Sequence, residues 1–203
     1  MLCALSVLLS VWAVSPAEFK PTAKTGTAQT TAEIWTAPVV QTILQDPEDM
    51  AKNDIPAPCV LSEGETVELN IDMVQGETEG AQLLITPKTR VNAYTLAVSD
   101  LVNLADPTKV IDGDTVEIFK QYYSKVDFDV EYDRTVPLGM YPDMLLPLDV
   151  AIKHGENVVE AGKNQGFILQ LKSYTEGENF ARSYYEAGVY VGTVTLTLDG
   201  AAT

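Results

Sequence analysis

This chain has one histidine and two cysteines in 203 residues, and only 13 basic residues against 29 acidic ones. Each shortage excludes a class of function. Zinc ligation takes several histidine or cysteine ligands, more than this composition supplies. A hydrolytic triad needs a base beside a nucleophile, and no GxSxG elbow is present. The lone His154 reads as a solvent-side residue before the turn glycine Gly155. No P-loop and no GxGxxG occurs, so nucleotide phosphates have no cradle. A formal net charge of −16 repels phosphate backbones and anionic lipid heads. Nucleic acid and membrane surfaces are therefore disfavoured partners, and the charge serves solubility.

Long apolar runs are also missing. The longest, residues 2–14 (LCALSVLLSVWAV), is too short for a bilayer, which needs about 20 residues, and has the length of a signal-peptide core. We expect a signal peptide over 1–17, cut after Ala17 despite Pro16 and the absence of a preceding Lys or Arg. A flexible Thr/Ala/Lys-rich linker over 18–32 and a β domain over 33–203 are expected to follow. The expected location is secreted or at the cell surface, with no membrane insertion of the mature chain. Cys3 leaves with the leader, so Cys59 has no internal partner and reads as an inert packed thiol.

What the chain does have is alternation. Val194, Leu196 and Leu198 interleave with Thr193, Thr195 and Thr197, the period-two signature of a half-buried strand. Val67, Leu69, Ile71 and Met73 alternate with acidic and amide residues in the same way over 66–74. Further strands are expected over 81–86, closed by Pro87, and over 91–99, 115–132, 167–173 and 189–198. Asp112-Gly113-Asp114 predicts a turn. Residues 134–147, with three prolines and a glycine, read as an irregular packed loop, and 148–154 as one short helical turn. No multi-turn amphipathic helix is visible. The expected fold class is all-β, an antiparallel β-sandwich of the immunoglobulin or jelly-roll kind, with a closed barrel as the alternative. With 46% hydrophobic residues, the chain can fill such a core without disulfides.

Few residues suggest binding chemistry. Asp127, Asp129 and Glu131 would share one strand face, where three carboxylates could hold calcium or simply keep that face wet. Sixteen aromatics (two Trp, nine Tyr, five Phe) include the pairs Tyr122-Tyr123 and Tyr184-Tyr185. Neighbours on a strand face opposite ways, so one of each pair is expected outside. Tyr122 and Tyr184 are the candidates for stacking on sugar rings, whereas Trp35 reads as a core anchor. Met140, Tyr141, Met144 and Leu145 cluster among prolines and form a candidate domain interface.

The ordered segments EIWTAPVVQTILQD (33–46), QGETEGAQLLITP (75–87), MYPDMLLPLD (140–149), NQGFILQLKS (164–173) and AGVYVGTVTLTLDG (187–200) resemble the N-terminal domain of glycoside hydrolase family 123 and its bacterial relatives. The resemblance implies a β-sandwich preceding a larger (β/α) barrel, in which an adjacent Asp-Glu pair hydrolyses N-acetylgalactosaminides with help from the substrate's acetamido group. No such barrel pattern follows within this chain, and no Asp-Glu dipeptide occurs in it. The resemblance therefore implies a non-catalytic accessory domain with no catalytic residue and no cofactor, whose partner is a C-terminal barrel. The alternative is a free-standing carbohydrate-binding or adhesion module.

Overall fold

The computed structural model describes residues 32–52, 68–127 and 138–202. The signal-peptide segment, residues 18–31 of the expected linker, Cys3, Cys59, Asp129 and Glu131 lie outside the described residues, while Ala32, expected to end the linker, is the buried first residue of the first strand. The strands are β1 (Ala32–Ala37), β2 (Thr78–Pro87), β3 (Tyr94–Val98), β4 (Leu101–Asn103), β5 (Val110–Ile111), β6 (Glu117–Val126) and β7 (Gly139–Pro147). They continue as β8 (Gln165–Lys172), β9 (Tyr174–Glu176), β10 (Arg182–Tyr184), β11 (Tyr190–Val191), β12 (Val194–Leu198) and β13 (Ala201–Ala202). Two one-turn helices, α1 (Pro47–Lys52) and α2 (Leu148–Lys153), complete the fold. Among the described residues all ladders are antiparallel and no sheet closes on itself. The fold is all-β and sandwich-like.

One layer is a five-stranded sheet in the order β1-β2-β8-β6-β7. The facing layer joins β13-β12-β3 to β11-β4-β5. Ile34, Leu83, Ile85, Phe167, Leu169 and Leu171 from the first layer share one buried cluster with Tyr94, Leu96, Leu101, Tyr190, Val194, Leu196 and Leu198 from the second. Tyr94 and Phe167 meet edge-to-face across the gap, with ring centroids 5.1 Å apart. Burying such side chains contributes about 1.5–3 kcal/mol each, the largest favourable contribution available to such a sandwich.

The period-two pattern is carried through β12, where Val194, Leu196 and Leu198 are buried. It changes phase between β3 and β4. Tyr94 and Leu96 point inward from even positions, whereas Leu101 and Asn103 do so from odd ones. The opposing pair β12 and β11 breaks at the same level, where Ser99 N–H donates to the Thr193 carbonyl (2.9 Å) and Thr193 N–H to Ser99 Oγ (2.9 Å). The expected single strand over 189–198 is therefore two strands in two sheets. An extra residue at such a bulge shifts the pleat by one position.

Three further expectations are corrected. Residues 68–74 bury Leu69, Ile71 and Met73 and expose the residues between, yet they join no ladder. Alternation reports which face meets the core, not whether the backbone is paired. Strand β2 starts at Thr78, three residues before the strand expected over 81–86. The largest correction is 139–147, which is the edge strand β7 rather than an irregular loop. Proline lacks the N–H that a central strand needs, so it argues for a loop unless the strand lies at an edge or bulge. Both conditions hold: Tyr122 pairs with Met144 and Tyr123 with Pro142, leaving Asp143 as the extra residue.

The turn at 112–114 forms as expected. Asp112 caps it by accepting from Asp114 N–H (2.9 Å), and Gly113 N–H donates to Asp100 Oδ1 (3.1 Å). A β-carbon on Gly113 would lie 2.3 Å from the Val98 carbonyl oxygen, which is backbone and cannot rotate away. Gly113→Ala is expected to destabilise the domain by about 2–3 kcal/mol in urea unfolding, at the upper end of ordinary overpacking.

Candidate functional site

The second face of the five-stranded sheet is covered as well. Trp35 and Leu84 pack under Ile43 and Leu44 from the segment between β1 and α1, and under Met50 of α1. Pro47 opens α1 at a first-turn position where its missing N–H is harmless. A relay fixes this cover: Trp35 Nε1–H donates to Thr86 Oγ1 (3.0 Å), which donates to Asn164 Oδ1 (2.7 Å). Asn164 Nδ2 donates to the Leu44 carbonyl (2.9 Å), and the Lys163 ammonium pairs with Asp46. Trp35 is thus a core anchor with its polar edge satisfied.

Beyond the cover, the same face holds buried amides. Gln82 Nε2 donates to Gln121 Oε1 (3.3 Å), and Gln165 Nε2 donates to the Gln121 carbonyl (2.9 Å). Gln82 Oε1 and the Tyr123 hydroxyl here, and the Tyr94 hydroxyl in the sandwich core, are sealed in with no hydrogen-bond partner among the described residues. Sequence reading missed this group. Its one available signal was AQLLIT in β2, an unbroken buried run that suits a strand covered on both faces.

The proposed interface residues are spread along β7. Met144 and Leu145 are 54% and 52% exposed. Met140 and Tyr141 are half-buried, and Tyr141 packs inward on the Trp35 cluster. Burial, and secondarily the Asp49 carboxylate, raises the Tyr141 phenol above its usual range. Leu138 just before β7, and Val150 and Ile152 on the α2 helix that follows it, are also exposed. Apolar surface therefore runs along the edge strand and onto the adjoining helix.

The two candidate sugar-stacking tyrosines lie apart. Tyr122 is opposite Met144, 39% exposed, with Lys120 Nζ 5.8 Å from its ring centroid. Its partner Tyr123 is buried. Extending the β6–β8 register places Tyr122 level with Gln165, at the start of β8. Tyr184 belongs to the β9–β10 hairpin beyond the other end of β8, seven residues or about 23 Å along the strand. The two rings cannot form one platform. Tyr184 is 47% exposed, whereas Tyr185 packs partly on the core.

Of the proposed calcium ligands, Asp127 is described; it is exposed and pairs with Lys125 at 3.1 Å. Among the described residues no three His, Cys, Asp or Glu side chains converge to hold a metal ion. His154 is exposed at the C-terminal cap of α2. No helix among the described residues is long and apolar enough to cross a membrane. Among the buried titratable groups, Tyr94 and Lys120 both lie within reach of the Glu156 carboxylate. Lys120 is buried on the inner face, donating to the Glu156 carbonyl (2.5 Å) with the Glu156 carboxylate 3.9 Å away.

No protein-family model matches the sequence, and no curated protein matches it. Among solved structures, a family 123 glycoside hydrolase from Clostridium perfringens, described for glycolipid glycan hydrolysis, aligns with a TM-score of 0.57 at 18% identity. The match covers 84% of this chain and 25% of that one, so the chain spans about a quarter of the hydrolase's length. At this identity the shared property is the fold.

Burial holds the Lys120 ammonium below the usual lysine range, with Glu156 drawing it partly back. An unfolded lysine keeps its proton up to about 10.5, so between the two values the unfolded chain binds more protons and rising pH favours folding. The tyrosines act oppositely. Burial pushes the Tyr94 and Tyr123 phenols up, so ionisation near 10.0 favours the unfolded chain. Stability measured by urea unfolding is expected to rise as pH climbs toward 10.0 and to fall beyond it. Lys120→Met is expected to flatten the rising limb and leave the falling one.

Proposed function

We propose that this chain is a non-catalytic accessory β-sandwich of a secreted or cell-surface glycoside hydrolase-like protein, and that it docks through β7 and α2 onto a (β/α) barrel. The observation that carries this reading is the apolar edge: Met144 and Leu145 are exposed on β7, with exposed Leu138 just before the strand and exposed Val150 and Ile152 on the helix after it. Exposed edge strands ordinarily carry charge or are covered, because a bare apolar edge invites association. Here Asp143 is the one charge at the middle of the strand, placed in the bulge. An apolar strip of this kind suits a domain interface. The fold likeness to a quarter of a family 123 glycoside hydrolase agrees with an accessory role. Tyr184 favours the second reading, a carbohydrate-binding module, which would act through residues away from β7.

The purified chain is expected to give no turnover of aryl N-acetylhexosaminides, and steady turnover above a no-protein blank would refute the accessory assignment. For docking, the chain carrying Met144→Asp and Leu145→Asp is expected to keep its stability within about 0.5 kcal/mol, as exposed substitutions do. Its affinity for the separately expressed barrel is expected to fall at least tenfold, about 1.4 kcal/mol, by calorimetry. Unchanged affinity would place the interface elsewhere.

A further inference from the structure

The β9–β10 hairpin holds a residue in an unfavourable place twice over. Its turn, Glu178 to Ala181, is closed by Ala181 N–H donating to the Glu178 carbonyl (3.3 Å). Both central residues have positive φ, Asn179 at 57° and Phe180 at 61°. That is the signature of a type I′ turn, whose second position belongs to glycine because a side chain there is strained. The same chain supplies the comparison. Between β12 and β13, the two-residue turn is Asp199-Gly200, with φ of 47° and 82°. At the β9–β10 tip a phenylalanine stands where that turn has glycine. Its side chain gains nothing in return from the fold, since Phe180 is 92% exposed. A bulky residue kept both strained and bare points to a contact outside the fold.

The hairpin is firmly rooted and carries more than this ring. Ser173 N–H donates to the Glu77 carbonyl (2.9 Å), and Gly76 N–H donates to Ser173 Oγ (2.7 Å). On one face of the hairpin Tyr174 pairs with Tyr184, and Glu176 with Arg182. Tyr174 and Tyr184 pack edge-to-face at 6.2 Å, and the Arg182 guanidinium lies 4.2 Å from the Tyr174 centroid and 3.8 Å from Glu176. Arg182 is thereby oriented with its outer N–H groups still accessible. The finger offers two solvent-facing aromatic rings, a fixed guanidinium, and the carboxylates of Glu176 and Glu178.

This combination selects among ligands. Phosphates and anionic lipid heads are opposed by Glu176, Glu178 and the formal net charge of −16. An acyl chain would strip water from those carboxylates without replacing their hydrogen bonds. A sugar ring matches every part: its C–H face covers an aromatic ring, and its hydroxyls donate to carboxylates and accept from guanidinium. We propose that the β9–β10 hairpin is a carbohydrate-contact finger, in which Phe180 and Tyr184 stack on sugar rings of a neutral glycan while Arg182 and Glu176 hydrogen-bond its hydroxyls. This goes beyond the docking role and uses none of the β7 residues, so either proposal can fail alone.

The test uses the 203-residue chain on a printed array of neutral glycans, followed by calorimetry with the soluble form of a glycan that binds. The wild-type chain is expected to bind, and Tyr184→Ala to weaken binding about tenfold. Phe180→Gly is the decisive variant. It removes the ring and relieves the turn, so it is expected to raise the melting temperature by roughly 2–4 °C while weakening binding at least tenfold. A blank array, or full affinity in Phe180→Gly, overturns the proposal. So does Phe180-dependent association with phosphatidylcholine vesicles in place of glycan binding, which would assign the finger to a membrane.

Discussion

The structure depends on two central strands being buried on both faces. β2 and β8 send Leu83, Ile85, Phe167, Leu169 and Leu171 into the sandwich core. On the opposite side β2 places Leu84 against Trp35 beneath the α1 segment. A strand so enclosed has no wet side, so its polar groups must be satisfied inside. The Trp35–Thr86–Asn164–Leu44 relay and the Gln82–Gln121 pair do most of that, and Gln82 Oε1 is left over. Remove the cover, and Trp35, Leu84 and the buried amides would be exposed together.

That enclosure pushes everything accessible to the margins. The enclosed strands carry none of the exposed aromatic or apolar groups that mark a contact. Exposed groups of that kind include those on β7, at the open edge, and on the β9–β10 hairpin beyond the end of β8. The margins also tolerate what the centre refuses: a proline and a bulge in β7, and a strained phenylalanine at the hairpin tip. A rigid scaffold with contacts at its rim is a common division of labour in β-sandwiches. Two rims far apart allow one domain to hold a neighbouring domain at one end and a glycan at the other.

Much of the scaffold was legible in advance because burial in a strand follows parity. Leu96 and Leu198 fell on the inward side, Tyr122 stayed exposed beside buried Tyr123, and Trp35 went into the core. The candidate contacts were less legible. Tyr184 stood out as half of an aromatic pair, but Phe180 did not, because a backbone angle is not written in the residue that suffers it. Met144 and Leu145 were singled out, although in a segment read as a loop. Three prolines outweighed its apolar content until the bulge showed where Pro142 could sit.

Composition and alternation alone determined that this is a β protein with an acidic surface, too poor in histidine and cysteine for zinc, since each property is a sum or a local period. Where the period slips was decided only by the assembled fold. The step from β3 to β4 and the bulge opposite Tyr122 each answer to a neighbour distant in sequence, and the positive φ at Phe180 to the pairing of β9 with β10. Such constraints act through packing and hydrogen bonding across strands. They come into being only once the chain has closed on itself.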